Sequence, residues 1–163
     1  FEVSPHYNFV AVEMETKPLD IDCGSGVVVR LTGTMDRARI RKDEHGVGIA
    51  DLKSGSAAVQ KGAAVTKGHG PQIGTYELLY EHSTGEPISD DAEIIGLKTK
   101  GTAEIGFGTI KNAKRVMVGT EEQTGLIEFA AEMFKTGRFY PNPKSLLCSD
   151  KYCPRFSKCH FHD

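Results

Sequence analysis

The chain contains no run of about 18 apolar residues, no signal peptide and no lipidation signal, so nothing in it reads as a membrane span or anchor and a soluble protein is expected. It also lacks an excess of either charge. Twenty Lys and Arg stand against 22 Asp and Glu, a formal net charge of −2, with an isoelectric point near 6.3. That excludes a global basic field, and any nucleic acid would have to be met by local patches. Cysteine is scarce at 4 in 163 residues, and a chain of this length with an intact core pattern has little need of disulfide staples. A secreted, disulfide-bonded domain is suggested only by the even cysteine count and the non-Met start. No internal repeat and no linker divides the chain, and 39% hydrophobic residues suffice for one substantial core. A single α/β domain over residues 1–163, with a mixed, mostly antiparallel sheet, is the simplest reading. Phe1 is not a translational start, so a fragment or processed product is expected, with an N-terminal segment missing.

What the chain does contain is a spaced set of acids and a lysine. Gly33-Thr34-Met35-Asp36-Arg37 is followed, fifteen positions after Asp36, by Asp51-Leu52-Lys53-Ser54-Gly55 at the end of an apolar run. One acid closes one expected strand, and an acid and a lysine two apart close the next. Successive strand side chains point to opposite faces, so Asp51 and Lys53 share a face while Leu52 turns to the core. A hard cation takes carboxylate and carbonyl oxygens, which makes Asp36, Asp51 and the Leu52 carbonyl a candidate ligand set. Lys53 would then orient or deprotonate an attacking water, a constellation suited to phosphodiester hydrolysis. Each piece has a bland reading as well: Gly-x-x-Asp is mostly a turn, and Asp-x-Lys mostly a solvated strand end. The order, the spacing and a third element weigh against it. Gln72, Tyr76 and Tyr80 recur at i, i+4 and i+8 on one helix face, with Tyr80 best read as core.

Hydrophobic periods place the elements. Strands are expected over residues 9–14 and 27–35, joined by a turn rich in Asp, Gly and Ser, and over 47–52, entered through Asp43-Glu44-His45-Gly46. Residues 54–70 read as a mobile loop, with a short helical turn possible over 57–60. A helix starts at Pro71 and runs to about His82. Two more strands are expected near 93–99 and 115–118. Thr120-x-x-Gln123 resembles a capping box opening a last helix, with Leu126, Ile127, Ala130, Met133 and Phe134 as its apolar stripe and Gly137 as its stop. Short basic runs occur at Arg37, Arg39, Arg41 and Lys42, beside Asp36, and at Lys111, Lys114 and Arg115.

Gly-x-x-Asp, Asp-x-Lys after a hydrophobic strand and Gln-x3-Tyr on a helix together resemble the RecB-type branch of the PD-(D/E)XK nucleases. Ala92-Glu93-Ile94-Ile95-Gly96-Leu97-Lys98-Thr99-Lys100 looks like the later strand of that branch. The tail Gly137-Arg138-Phe139-Tyr140-Pro141-Asn142-Pro143, running into Cys148, Cys153-Pro154 and Cys159, is similar to the ending of its phage-type exonucleases. The resemblance covers the chain from Val10 to Cys159. It implies a restriction-endonuclease-like domain with helices flanking a central sheet. It also implies Mg²⁺- or Mn²⁺-dependent hydrolysis of DNA, as an exonuclease in phage or bacterial recombination, replication or repair. The setting implied is the cytoplasm of a bacterial or phage-infected cell, with no membrane partner and with room for a homo-oligomer or a recombination or replication partner protein. Carried over by residue, Asp36 and Asp51 bind the metal, Lys53 is the catalytic lysine, and Gln72 and Tyr76 support the site and contact DNA. The branch usually adds an acid or histidine ahead of the first core strand. Glu13 and Glu15 are the available acids, and their alternation with Val12 and Met14 also suits a solvated strand face. A non-catalytic DNA-binding or assembly module with the same fold is the alternative. Such a relative would be expected to lose Asp36, Asp51 or Lys53, and all three are present.

The cysteines leave three readings open. Some RecB-type nucleases hold an iron–sulfur cluster on one early and three late cysteines, and Cys23, Cys148, Cys153 and Cys159 within the 138–163 tail have a similar distribution, which would suit a [4Fe-4S] cluster. The branch more often spaces the late cysteines Cys-x2-Cys-x5-Cys and places the early one before the first core strand, whereas Cys23 follows it. Thiolates with His160 or His162 would suit structural Zn²⁺ instead. Free thiols on an unligated tail are the third reading.

Overall fold

A computed structural model describes residues 7–41, 46–139, 142, 145 and 147–161. Seven strands form one sheet in the order β1-β4-β5-β8-β9-β7-β6. They are β1 (Tyr7–Glu15), β4 (Thr34–Arg41), β5 (Val47–Ser54), β6 (Val59–Gln60), β7 (Ala63–Ala64), β8 (Ala92–Lys98) and β9 (Glu104–Ile110). Antiparallel pairing dominates, and β5 with β8 and β7 with β9 are the parallel pairs. β2 (Leu19–Asp22) and β3 (Val28–Leu31) make a separate hairpin. The helices are α1 (Gly70–Thr84), α2 (Ala113–Val118) and α3 (Leu126–Thr136), with a short 3₁₀ turn at Phe156–Lys158. This is the mixed α/β fold, mostly antiparallel, that the sequence suggests.

The cross-strand register sorts side chains onto two faces. Ala38 pairs with Ile49, and Asp51 with Ile94, so these share the face on which Ile73 and Tyr80 of α1 and Ala113 of α2 complete the main core. The other face carries a strand-only cluster of Tyr7, Ala50 and Ile95, with Leu52 and Ile105 against it. α1 is the crossover between the parallel strands β5 and β8, a connection that parallel pairing requires. It begins with Pro71 in its first turn and ends on Gly85 in the left-handed conformation (φ 78°), as the sequence suggests. Gly74 lets α1 meet α2 at backbone distance, because a Cβ there would lie 2.3 Å from the Ala113 carbonyl oxygen.

Several expected boundaries move. Residues 27–35 are not one strand: the chain breaks at Gly33, whose carbonyl accepts from the Thr16 hydroxyl (2.6 Å) and amide (3.2 Å). Asp36 therefore sits near the start of β4 rather than at the end of a strand. Arg37, Arg39 and Arg41 lie within β4, and the pairing of Arg37 with Ala50 and Arg39 with Gly48 turns them away from the Asp51 face. Arg39 is fully buried, bonded to Asp90 and to the Asp91 carbonyl, with its guanidinium over Tyr7. It clamps the sheet and is no phosphate patch. Lys42 and Asp43-Glu44-His45 lie outside the described residues. The expected loop over 54–70 contains the β6–β7 hairpin. The expected strand at 115–118 is helix α2, and the strand beyond β8 is β9, whose Gly106 and Gly108 mask its strand pattern. Thr120 and Gln123 close a turn on each other (2.7 Å) instead of capping α3. That helix starts after Gly125, whose amide donates to Glu128 (3.0 Å), and stops at left-handed Gly137 (φ 65°). Ile127 and Ala131 form its buried side, while Leu126 and Phe134 of the expected stripe are exposed.

Candidate active site

Asp36 and Asp51 come from neighbouring antiparallel strands. The last rung of the ladder between them pairs Arg37 with Ala50, and one further step sets Asp36 opposite Asp51 on the α1 face. Asp51 is completely buried, and burial pushes its carboxyl pKa up. The Lys53 ammonium opposes that shift, and the nearby Asp36 carboxylate adds to it. Lys53 lies two residues on, on the same face, with its Nζ 2.6 Å from Asp51 Oδ2. Both Asp51 oxygens are buried, and among the described residues Lys53 is the cation against them, close to Oδ2 but off the ideal hydrogen-bond angle.

α1 delivers the other two side chains from its first turns. The Lys53 ammonium donates to Gln72 Oε1 (2.9 Å), and Gln72 Nε2 donates to the Tyr76 hydroxyl (3.0 Å). Gln72 and Tyr76, one turn apart, thus lie beside the acid–lysine group. Ile73 is fully buried in the core and Tyr80 packs there too. The five residues singled out at Asp36, Asp51, Lys53, Gln72 and Tyr76 are brought together.

No hydrogen bond or ion pair among the described residues ties the other candidates to this group. Glu13 and Glu15 are exposed on β1. The register places Glu13 across from Asp36, where its backbone adopts φ 47°. Among the described residues, no group of three or more His, Cys, Asp or Glu side chains is gathered so as to hold a metal ion. Cys148, Cys153 and Cys159 are half-buried free thiols on successive turns, their amides bonded to the carbonyls of Ser145, Ser149 and Phe156. Cys23 sits at the end of the β2–β3 hairpin, its thiol turned to the Ile21 carbonyl (3.6 Å), and its own carbonyl accepts from Lys135 (2.6 Å). None of the four cysteines belongs to a metal-competent group among the described residues, so the shared cysteine centre expected from spacing is not supported. His160 stacks on Phe161, and His162, Tyr140, Pro141 and Pro143 lie outside the described residues.

The fit to a cation rests on Asp51. A buried carboxylate with two unaligned oxygens, a second carboxylate beside it and the Leu52 carbonyl adjacent in sequence is an all-oxygen donor set suited to a hard divalent ion. The family model of the PD-(D/E)XK nuclease superfamily matches residues 1–160. The chain belongs to this superfamily. Its Asp51-Leu52-Lys53 has the (D/E)XK pattern of the name, and members typically use Mg²⁺ or Mn²⁺. No curated protein matches the chain.

One residue of this PD-(D/E)XK protein escaped the sequence reading. Glu77 is buried on α1, accepts from the Lys114 amide at the start of α2 (2.8 Å), and is pushed up to about 7 by burial, against the opposing pull of Lys114. Its signal was present: at i+4 from Ile73 and i−3 from Tyr80, Glu77 is a charge in a core register.

Proposed function

We propose that the protein is a metal-dependent deoxyribonuclease, an exonuclease of the RecB-type branch acting in phage or bacterial DNA recombination, replication or repair. The observation that carries this reading is the Asp36–Asp51–Lys53 group, with a buried carboxylate lacking aligned donors beside an ammonium held by an amide. Asp36, Asp51 and the Leu52 carbonyl would hold Mg²⁺ or Mn²⁺. The ion supplies charge neutralisation at the phosphate and a lowered pKa for the attacking water. The Lys53 ammonium sets a positive charge beside the reacting phosphate and orients the nucleophile by donating to it. Gln72 fixes the direction of that ammonium, and Tyr76 fixes Gln72, so that Lys53 meets the substrate in one geometry rather than many. Retention of both acids and the lysine favours an enzyme over a binding module of the same fold.

The direct test is digestion of end-labelled linear and circular DNA with Mg²⁺, Mn²⁺ or chelator. Metal-dependent loss of linear DNA from its ends, with circles spared, is expected. Cleavage of circles would make it an endonuclease, and no cleavage with either metal would remove the enzyme reading.

A further inference from the structure

We infer that the sugar-phosphate chain of the substrate leaves the acid–lysine site over the β8 side of the sheet, along a track formed by Lys98, Lys100, Lys61 and Lys67. The inference rests on the nuclease reading above and adds a direction to it. It begins from an unequal distribution of charge around the site. On the β8 side, residues 54–69 and 97–104 hold four lysines against one acid, Glu104. On the β1 side, residues 13–33 hold Glu13, Glu15, Asp20 and Asp22 against Lys17 and Arg30, and Arg30 is committed to Asp20 at 2.6 Å. A polyanion meeting the site from a near-neutral molecule is drawn to one flank and repelled by the other.

The fold carries these lysines to the site. Lys53 pairs with Gly96 in the parallel ladder, so Lys98 lies two residues further along the same face. The ends of the two strands are tied together, Gly55 donating to the Leu97 carbonyl (3.0 Å) and Thr99 to the Gly55 carbonyl (3.4 Å). Lys100 follows in the exposed turn, and Lys98 is loosely paired with Glu104 at 3.5 Å. Above that face lies the β6–β7 hairpin, seated on bare backbone. A Cβ at Gly96 would meet the Ala58 carbonyl oxygen at 2.6 Å, and one at Gly106 the Ala63 carbonyl carbon at 2.8 Å. Lys61 projects from the turn of this hairpin, and Lys67 from the turn that leads into α1 and Gln72. Both are exposed. Among the described residues, three other basic groups nearer the sheet are held by acids: Arg39 and Arg41 bind Asp90, and Lys114 binds Glu81 at 2.7 Å.

The test compares the 163-residue chain with a Lys61→Gln/Lys67→Gln/Lys98→Gln/Lys100→Gln variant and with a Lys17→Gln/Arg30→Gln control. Fluorescence anisotropy of a labelled DNA oligonucleotide is read in Ca²⁺ over a range of KCl, with circular dichroism verifying the fold. The track predicts at least a tenfold loss of affinity at low salt for the four-lysine variant. Its plot of log affinity against log salt should flatten by about 0.7–0.9 for each phosphate contact removed, and the control should bind nearly as well as the parent, with an unchanged slope. Equal affinity and slope in parent and four-lysine variant would overturn the track, as would an equal loss in the control or a parent that binds no DNA. A parent that binds through these lysines yet cleaves nothing would sink the nuclease reading and leave the track. A parent that cleaves while the four-lysine variant binds normally would do the reverse.

Discussion

The Gln72 amide has a direction, and Lys53 sets it. An ammonium can only donate, so the amide oxygen must face Lys53 and the amide nitrogen must face Tyr76. The Tyr76 oxygen is then an acceptor towards Gln72, and its own hydrogen is left to donate outward. Tyr76→Phe keeps the ring and removes that donor; about a tenfold fall in turnover with unchanged thermal stability is expected from steady-state kinetics and melting. Lys53→Ala should cost turnover 100-fold or more while DNA affinity changes less than threefold, because one contact is a small part of an electrostatic interface built from many. Equal losses in both would make Lys53 a binding residue. Asp51→Asn should abolish cleavage, since a neutral amide cannot hold a hard cation. The same change removes a buried carboxylate whose charge is disfavoured, so the metal-free variant should melt higher than the parent at pH 8. A lower melting point would show that the Lys53 contact outweighs burial.

At the scale of elements, glycine decides how closely segments approach. Gly96→Val should force the β6–β7 hairpin off β8, lowering stability by about 1–3 kcal/mol and disturbing the path into α1. Urea unfolding measures the first effect, and turnover at saturating DNA measures the second. The same residues explain what was legible in advance. Strands β1 and β5 and helix α1 announced themselves because their periodicity and their Pro and Gly punctuation agree with the fold. The convergence of the five candidate residues was legible because they come from one strand start, one strand end and one helix turn, all close in sequence. β9 was hidden because its glycines, kept small to admit the hairpin, are the residues least typical of a strand. α2 was misread because Val116, Met117 and Val118 look like a strand, whereas Glu77 capping Lys114 is a contact 37 positions away in sequence. Arg39 read as a surface charge because its partner Asp90 is 51 positions away.

For the whole molecule, Glu77 links stability to pH. Its folded-state pKa of about 7 lies above the ordinary carboxyl value of 4.5, so its contribution is fully present below pH 4.5 and is lost as pH rises through 7. Above that window the buried charge costs on the order of 3 kcal/mol. Glu77→Gln keeps an acceptor for the Lys114 amide. It should therefore stabilise the protein at pH 8.5 and do little at pH 4.5, as denaturant unfolding at the two pH values would show. The crossover from β5 through α1 to β8 has a further consequence for the newborn chain. Every side chain of the acid–lysine group has been synthesised by Tyr76, yet β5 gains its parallel neighbour only after Ala92–Lys98 has followed. A nascent chain stalled before Ala92 would carry all five residues without the strand that walls them in, so the competence to cut would arrive late in synthesis, with the closing of the sheet.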